Sequence, residues 1–257
     1  MTSAFRDRSS RASFIRNAAA AGAALTVWKG FDFATGTGLT AEAATDPVVT
    51  IISTALIAEQ LATTFYYNAL TTKGVIGSDQ LAGSGSVATP TGNGGNVRYL
   101  QAALDAEIKH AAALSKAGAM SPFGKFYFPA ATFGSLKGFL GVLDALETAF
   151  IGAYLAAISE FVTLGHPELA ELAGEIMGVE AEHRALGRVI AKVNPANNLT
   201  LEKAPFTAVS QAGGALKPFL TGQGFSSGAT PALALPLDVL AIPLIGSYTT
   251  RVVTMFL

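Results

Sequence analysis

The sequence predicts an all-α fold: an antiparallel four-helix bundle followed by a mostly irregular C-terminal extension. Three observations lead there. Four stretches repeat apolar residues at helical spacing over lengths beyond the ordinary globular helix. Half of the 257 residues are hydrophobic and 14% are charged; Ala and Gly supply much of the apolar share, which suits closely packed helices better than twisted sheets. The inward stripe of each stretch also carries one glutamate near its middle.

Residues 1–43 read as an export signal or an N-terminal arm. Arg6, Arg8, Arg11 and Arg16 precede the apolar run AAAAGAALTVW, and Ala41–Ala43 forms a small-x-small cleavage pattern. SRASFIR, Ser10 to Arg16, is similar to the bacterial twin-arginine export motif, with Ala12 in place of the second arginine. The expected location is periplasmic or extracellular, by that route or the general secretory one.

The bundle is predicted over residues 46–193. Asp46 is placed as N-cap with Pro47 at the first helical position, opening a helix to about Thr71. The loop GSGSVATPTGNGG separates it from a second helix over about Asn96–Lys116. A connection containing Pro122 and Pro129 leads to a third over about Thr132–Leu164. Gly165-His166-Pro167 reads as a glycine stop and a fresh proline start for a fourth, ending near Val193. No segment after the signal reads as membrane-spanning: FLGVLDALETAFIGAYLAAISEFV is interrupted by Asp144, Glu147 and Glu160, and ALALPLDVLAIPLIG by Pro236 and Pro243. Residues 194–257, apolar enough to need cover, are expected to pack on the bundle or on a neighbouring subunit, and so offer a surface for homo-oligomer assembly.

Chemistry enters through the stripes. The first carries Ile52, Ala55, Glu59, Ala62, Tyr66 and Leu70, and the second Leu100, Ala103, Glu107, His110 and Leu114. The third carries Leu140, Leu143, Glu147, Phe150, Tyr154 and Ile158, and the fourth Ile176, Glu180, His183, Gly187 and Ile190. Glu59, Glu107, Glu147 and Glu180 fall about 12 to 15 residues from their helix starts, so they meet in one layer whichever way the helices run. A buried carboxylate needs a partner, a proton or a metal ion. Four carboxylates balance two divalent ions, whereas two histidines are too few bases to neutralise them. Oxygen and imidazole donors without thiolate suit two Fe or Mn ions better than structural zinc.

Tyr66 and Tyr154 each follow a glutamate by two turns, as candidate donors, redox-active neighbours or ordinary core tyrosines; Asp144 is a candidate to orient an imidazole. His166, beside Pro167, reads as a surface or capping residue. The net charge of −1 makes nucleic acid an unsuitable partner, and the absence of cysteine removes disulfides and thiolate ligands.

This pattern resembles the ferritin-like superfamily over about Asp46 to Val193. In its leader and long C-terminus it is similar to the bacterial and plant desiccation-related branch. The matching positions are the lone glutamates Glu59 and Glu147 and the Glu-x-x-His pairs Glu107/His110 and Glu180/His183. The resemblance implies a dinuclear iron or manganese centre, with metal ions and oxygen or peroxide as partners. Two uses stay open: an oxidoreductase of ferroxidase, oxidase or catalase type, and a non-enzymatic structural or desiccation-protective assembly with a stabilising or vestigial metal site.

Overall fold

The computed structural model describes residues 45–76 and 95–234, and within it the four predicted stretches are helices. They are α1 (Val48–Thr71), α2 (Gly95–Lys116), α3 (Leu136–Leu164) and α4 (Pro167–Ile190). A single helical turn, Lys73–Ile76, follows α1. The leader expected over residues 1–43, the glycine-rich loop at 83–95 up to its last residue, and the extension beyond 234 lie outside the described residues.

The helix starts differ from expectation in two places. Pro47, not Asp46, is the N-cap of α1: its carbonyl accepts from Thr50 N at 2.8 Å and Ile51 N at 3.1 Å. The Asp46 carboxylate instead accepts from Ser210 N at 2.7 Å, far along the chain. α3 begins at Leu136 rather than Thr132, because the Ser135 hydroxyl accepts from Gly138 N at 3.1 Å and caps it there. Between α3 and α4, Gly165 takes φ 78°, the left-handed conformation that a helix stop asks of glycine. α4 ends at Ile190, three residues early, as Lys192 turns left-handed at φ 60° ahead of Pro195.

Contacts between elements give the helix directions. Ser53 meets Met120 across α1 and the end of α2, while Glu59 meets His110. Tyr66 meets Glu147 and Tyr154 meets Glu59, so α1 and α3 are antiparallel. Glu107 meets His183 and Glu180 meets His110, which makes α2 and α4 antiparallel. Along α3 and α4, Leu143 lies against Gly187 and Ile158 against Gly174. Each of these four pairs is antiparallel, which leaves α2 parallel to α3. Their connection has to climb the bundle, and residues 117–135 do so.

Part of that climb is a strand, where the sequence predicts only a connection. β1 (Lys125–Pro129) pairs antiparallel with β2 (Ala229–Leu233), with Phe126 opposite Ala232 and Phe128 opposite Thr230. Phe126 and Phe128 are fully buried while Lys125 is exposed, the alternation of a half-covered strand. Phe128 lies near Phe65, which stacks on Phe139 with ring centroids 4.6 Å apart.

The described part of the extension is also more ordered than expected. It carries α5 (Val209–Thr221) as well as β2. Ahead of α5, Glu202 pairs with Arg184 at 2.6 Å, and Pro205 fills the space that a side chain at Gly152 would occupy, its Cδ 2.7 Å from that Cβ position. Glu160, buried on α3, accepts from Asp46 N at 2.7 Å and from Val209 N at 2.8 Å, so one carboxylate holds both the entry to α1 and the start of α5. Two acids, Glu160 and Asp46, thus stand at the N-terminus of α5, where the helix dipole favours negative charge.

α1 and α3 are long and apolar enough to cross a membrane by length and composition alone. Both are mostly buried against other helices and turn glutamates inward.

Candidate metal centre

The apolar core divides into two clusters. Along α2, Leu100 and Leu104 belong to one and Ala111 and Leu114 to the other; along α4, Ile190 belongs to the first and Ile176 to the second. Between them lies a polar layer. It contains Glu59 from α1, Glu107 and His110 from α2, Glu147 from α3, and Glu180 and His183 from α4. All four glutamates are buried to within 1% exposure, and His183 to 7%. The His110 side chain, 12% exposed, is the one that comes nearest the surface.

Two overlapping groups of four could each hold a metal ion, with ligand atoms within 4.8 Å of one another: Glu59, Glu107, His110 and Glu180, and Glu107, Glu147, Glu180 and His183. Glu107 and Glu180 belong to both. The His110 Nδ1 atom stands 3.3 Å from Glu59 Oε2, 3.3 Å from Glu107 Oε2 and 3.2 Å from Glu180 Oε1. The His183 Nδ1 atom stands 3.0 Å from Glu107 Oε1, 3.3 Å from Glu180 Oε2 and 4.0 Å from Glu147 Oε1. Each shared carboxylate therefore turns one oxygen toward each histidine.

Hydrogen bonding alone does not satisfy this layer. A ring nitrogen carries at most one proton, yet each Nδ1 faces three carboxylates. Glu107 Oε1, Glu147 Oε2 and Glu180 Oε1 are buried and accept no well-aligned hydrogen bond, although an imidazole nitrogen stands near the first and the last. Burial and the neighbouring charges of Glu180 and Glu107 push the Glu59 carboxyl well above the usual range, and burial with Glu180 does the same to Glu147. Burial opposes ionisation of Glu107 too, but His183 and the hydrogen bonds from both imidazoles outweigh it and hold that carboxyl low. Both histidines are raised: burial works against their charge, and the surrounding carboxylates win. Without metal, protons held by the raised carboxyls and imidazoles offset the carboxylate charge that divalent ions would otherwise neutralise.

The tyrosines bracket the layer. The Tyr66 hydroxyl donates to Glu147 Oε1 at 2.5 Å, and the Tyr154 hydroxyl donates to Glu59 Oε1. Each serves the glutamate of the other helix, not the one two turns before it on its own. Burial first, and then the adjacent carboxylate, raises both phenols well above their ordinary value, so both keep their protons.

Asp144 does not join the site. It is exposed, since three residues rotate it about 60° from Glu147 and carry it to the rim of the helix face. His166 occupies the N-cap position of α4 without a side-chain cap and lies 3.3 Å from the exposed Glu168. The sequence reading missed Arg184, which is 5% exposed and donates to Glu202 at 2.6 Å with a longer contact to Thr148. Its place directly after His183 was the available signal, since a helix that turns one residue into the core brings the next to its edge.

No curated protein and no solved structure matches the chain at a significant level. The family model for the ferritin-like domain does, over residues 48–192, a span that opens with α1 and closes just after α4 and so takes in every residue of the carboxylate layer. On that match, over more than half its length, the chain belongs to the ferritin-like domain family.

Proposed function

We propose that this protein binds two iron or manganese ions in the layer between its core clusters and uses them to oxidise Fe(II) or to handle dioxygen or peroxide. The observation that carries the reading is the division of Glu107 and Glu180, each with one oxygen toward His110 and one toward His183. Such an arrangement suits two ions held side by side, with Glu59 and His110 completing one and Glu147 and His183 the other. The donors fit: carboxylate oxygen and imidazole nitrogen, no sulfur, and three buried carboxylate oxygens that accept no well-aligned hydrogen bond.

When bound, the ions would supply one-electron redox chemistry, and ferrous oxidation would balance as two Fe(II), one dioxygen and two protons giving two Fe(III) and one hydrogen peroxide. The chain's own residues set the conditions for it. Glu59 and Glu147, whose carboxyls burial raises, would give up protons to bind, Tyr66 and Tyr154 hold those carboxylates in place, and the two apolar clusters border the layer on either side. The arginine and alanine pattern of residues 1–43 supports export, which would place this activity in the cell envelope.

Elemental analysis of protein produced in iron- and manganese-replete medium is expected to find close to two ions per chain, and Glu107→Ala to lose both. Consumption of dioxygen by the ferrous-loaded protein, or of peroxide, should fall sharply in the same variant. Metal-free protein whose melting temperature is unmoved by chelator would overturn the metal reading. Two bound ions with equal rates in parent and Glu107→Ala would instead assign the bundle a structural or desiccation-protective role.

A further inference from the structure

The offset of 88 residues that relates Glu59 to Glu147 also relates Tyr66 to Tyr154, so α1 and α3 present the same glutamate-tyrosine pair to the layer from opposite directions. The surroundings of the two tyrosines differ. Around Tyr66 the space is filled: its neighbour Phe65 stacks on Phe139, and both rings meet Tyr66, with centroids 5.6 Å and 6.3 Å away. The same offset carries Phe65 to Ala153, and taken backwards it carries Phe139 to Ile51 and Leu143 to Ala55. At these three places the side chain on the Tyr154 side is the smaller one, whereas Ala62 maps to the larger Phe150.

Those substitutions leave a cavity of about 20 Å³ between α1, α3 and α5, lined by Ala55, Ala58, Ala153, Tyr154, Ala157 and Ala212 among others. A second, of about 10 Å³, touches Ile51, Ala55, Tyr154 and Ala157 from inside the bundle. Each is about the size of one water molecule, but the lining is almost wholly apolar, and such a space stays dry while admitting small apolar molecules. Tyr154 links the larger cavity to Glu59: its side chain lines the one and its hydroxyl donates to the other. α5 closes its outer side with Val209, Ala212 and Leu216, which gives this part of the C-terminal extension a place in the chemistry.

We propose that the cavity beneath α5 is a binding site for a small apolar gas, dioxygen, and that it delivers this reactant to the Glu59/His110 side of the centre past Tyr154. The delivery rests on the metal reading above; the gas site does not. The site makes the centre asymmetric, with entry beside Glu59 and an aromatic seal beside Glu147.

The test begins with xenon, which needs no metal. Crystals of the metal-free protein pressurised with xenon should show it between Ala55, Ala153 and Ala212; its absence overturns the proposal. Ala153→Phe, which copies the filled side, and Ala212→Leu, from the opposite wall, should each abolish xenon binding. Melting temperature and metal content show which of the two folds as the parent does. In iron-loaded protein the filled variants should react with dioxygen severalfold more slowly at unchanged metal content. An unchanged dioxygen rate in a variant that has lost xenon binding overturns delivery by this route. A parent that binds xenon but takes up no metal would leave the gas site standing and defeat both delivery and the metal reading.

Discussion

Glu107 and Glu180 face two histidines each, and that geometry explains why no single proton can satisfy the layer and why the outer pair, Glu59 and Glu147, is capped by tyrosines. The consequences are testable side chain by side chain. Glu147→Ala should lose metal and His166→Ala should not, because His166 lies 19 residues further along, roughly 28 Å on a straight helix. Asp144→Asn should leave metal content unchanged, being exposed. Tyr66→Phe and Tyr154→Phe each strip a buried carboxylate of its donor and should weaken metal binding by about 10- to 100-fold with the fold intact, measured by competition with a chelating dye. The six converging residues were legible from spacing because the helical period fixes which side chains share a face. The partners of the tyrosines were not, since a residue two turns away on the same helix stands about 10 Å off, while the antiparallel neighbour brings its own glutamate alongside.

At the scale of elements, α3 packs against α1, α4 and α5. It meets α4 so closely at Gly187 that an added Cβ would stand 2.4 Å from Leu143 Cδ2. Gly187→Ala should therefore destabilise by about 1–3 kcal/mol in urea denaturation through overpacking, and Leu143→Ala in the same chain should relieve the clash. On the far side of α3, Glu160 joins the start of α1 to the start of α5. Glu160→Ala would leave two backbone N–H groups without their acceptor, and we expect a loss of about 2–4 kcal/mol with earlier proteolysis within residues 194–221 than in the parent. The four bundle helices were legible in their lengths. α5 was hidden by Gly213, Gly214 and Pro218, residues of poor helix propensity that tertiary packing overrides. β1 and β2 were hidden for another reason: each has only five residues, and the partner lies about 100 residues away in the chain.

The whole molecule relies on bound protons to offset its buried carboxylates whenever its metal is absent, and its stability should report this. Glu59, Glu147, His110 and His183 all hold protons more tightly folded than unfolded, since each is raised above its ordinary value. The folded chain therefore binds more protons than the unfolded one, and its stability falls as pH rises through those raised values. Glu107, held low, acts in the opposite sense only below the ordinary carboxylate range of about pH 4. Melting temperature in chelator should accordingly drop between about pH 5.5 and 8.5, whereas metal-loaded protein should hold level or gain, because binding displaces the same protons. A metal-free melting temperature that rises across this range would contradict the charge arrangement described for the layer.

Period and position along the chain were enough to specify four helices, an inward stripe on each, and the meeting of Glu59, Glu107, His110, Glu147, Glu180 and His183 in one layer, because a helix of known register places its side chains by rotation alone. The tertiary structure decided what depends on neighbours: which carboxylates are shared, that each tyrosine crosses to the other helix, that Glu160 and Asp46 secure α5, and that alanines leave an apolar space beside Tyr154 where phenylalanines close the one beside Tyr66. Those features are set by contacts between residues tens to hundreds of positions apart, and local periodicity carries no record of such distances.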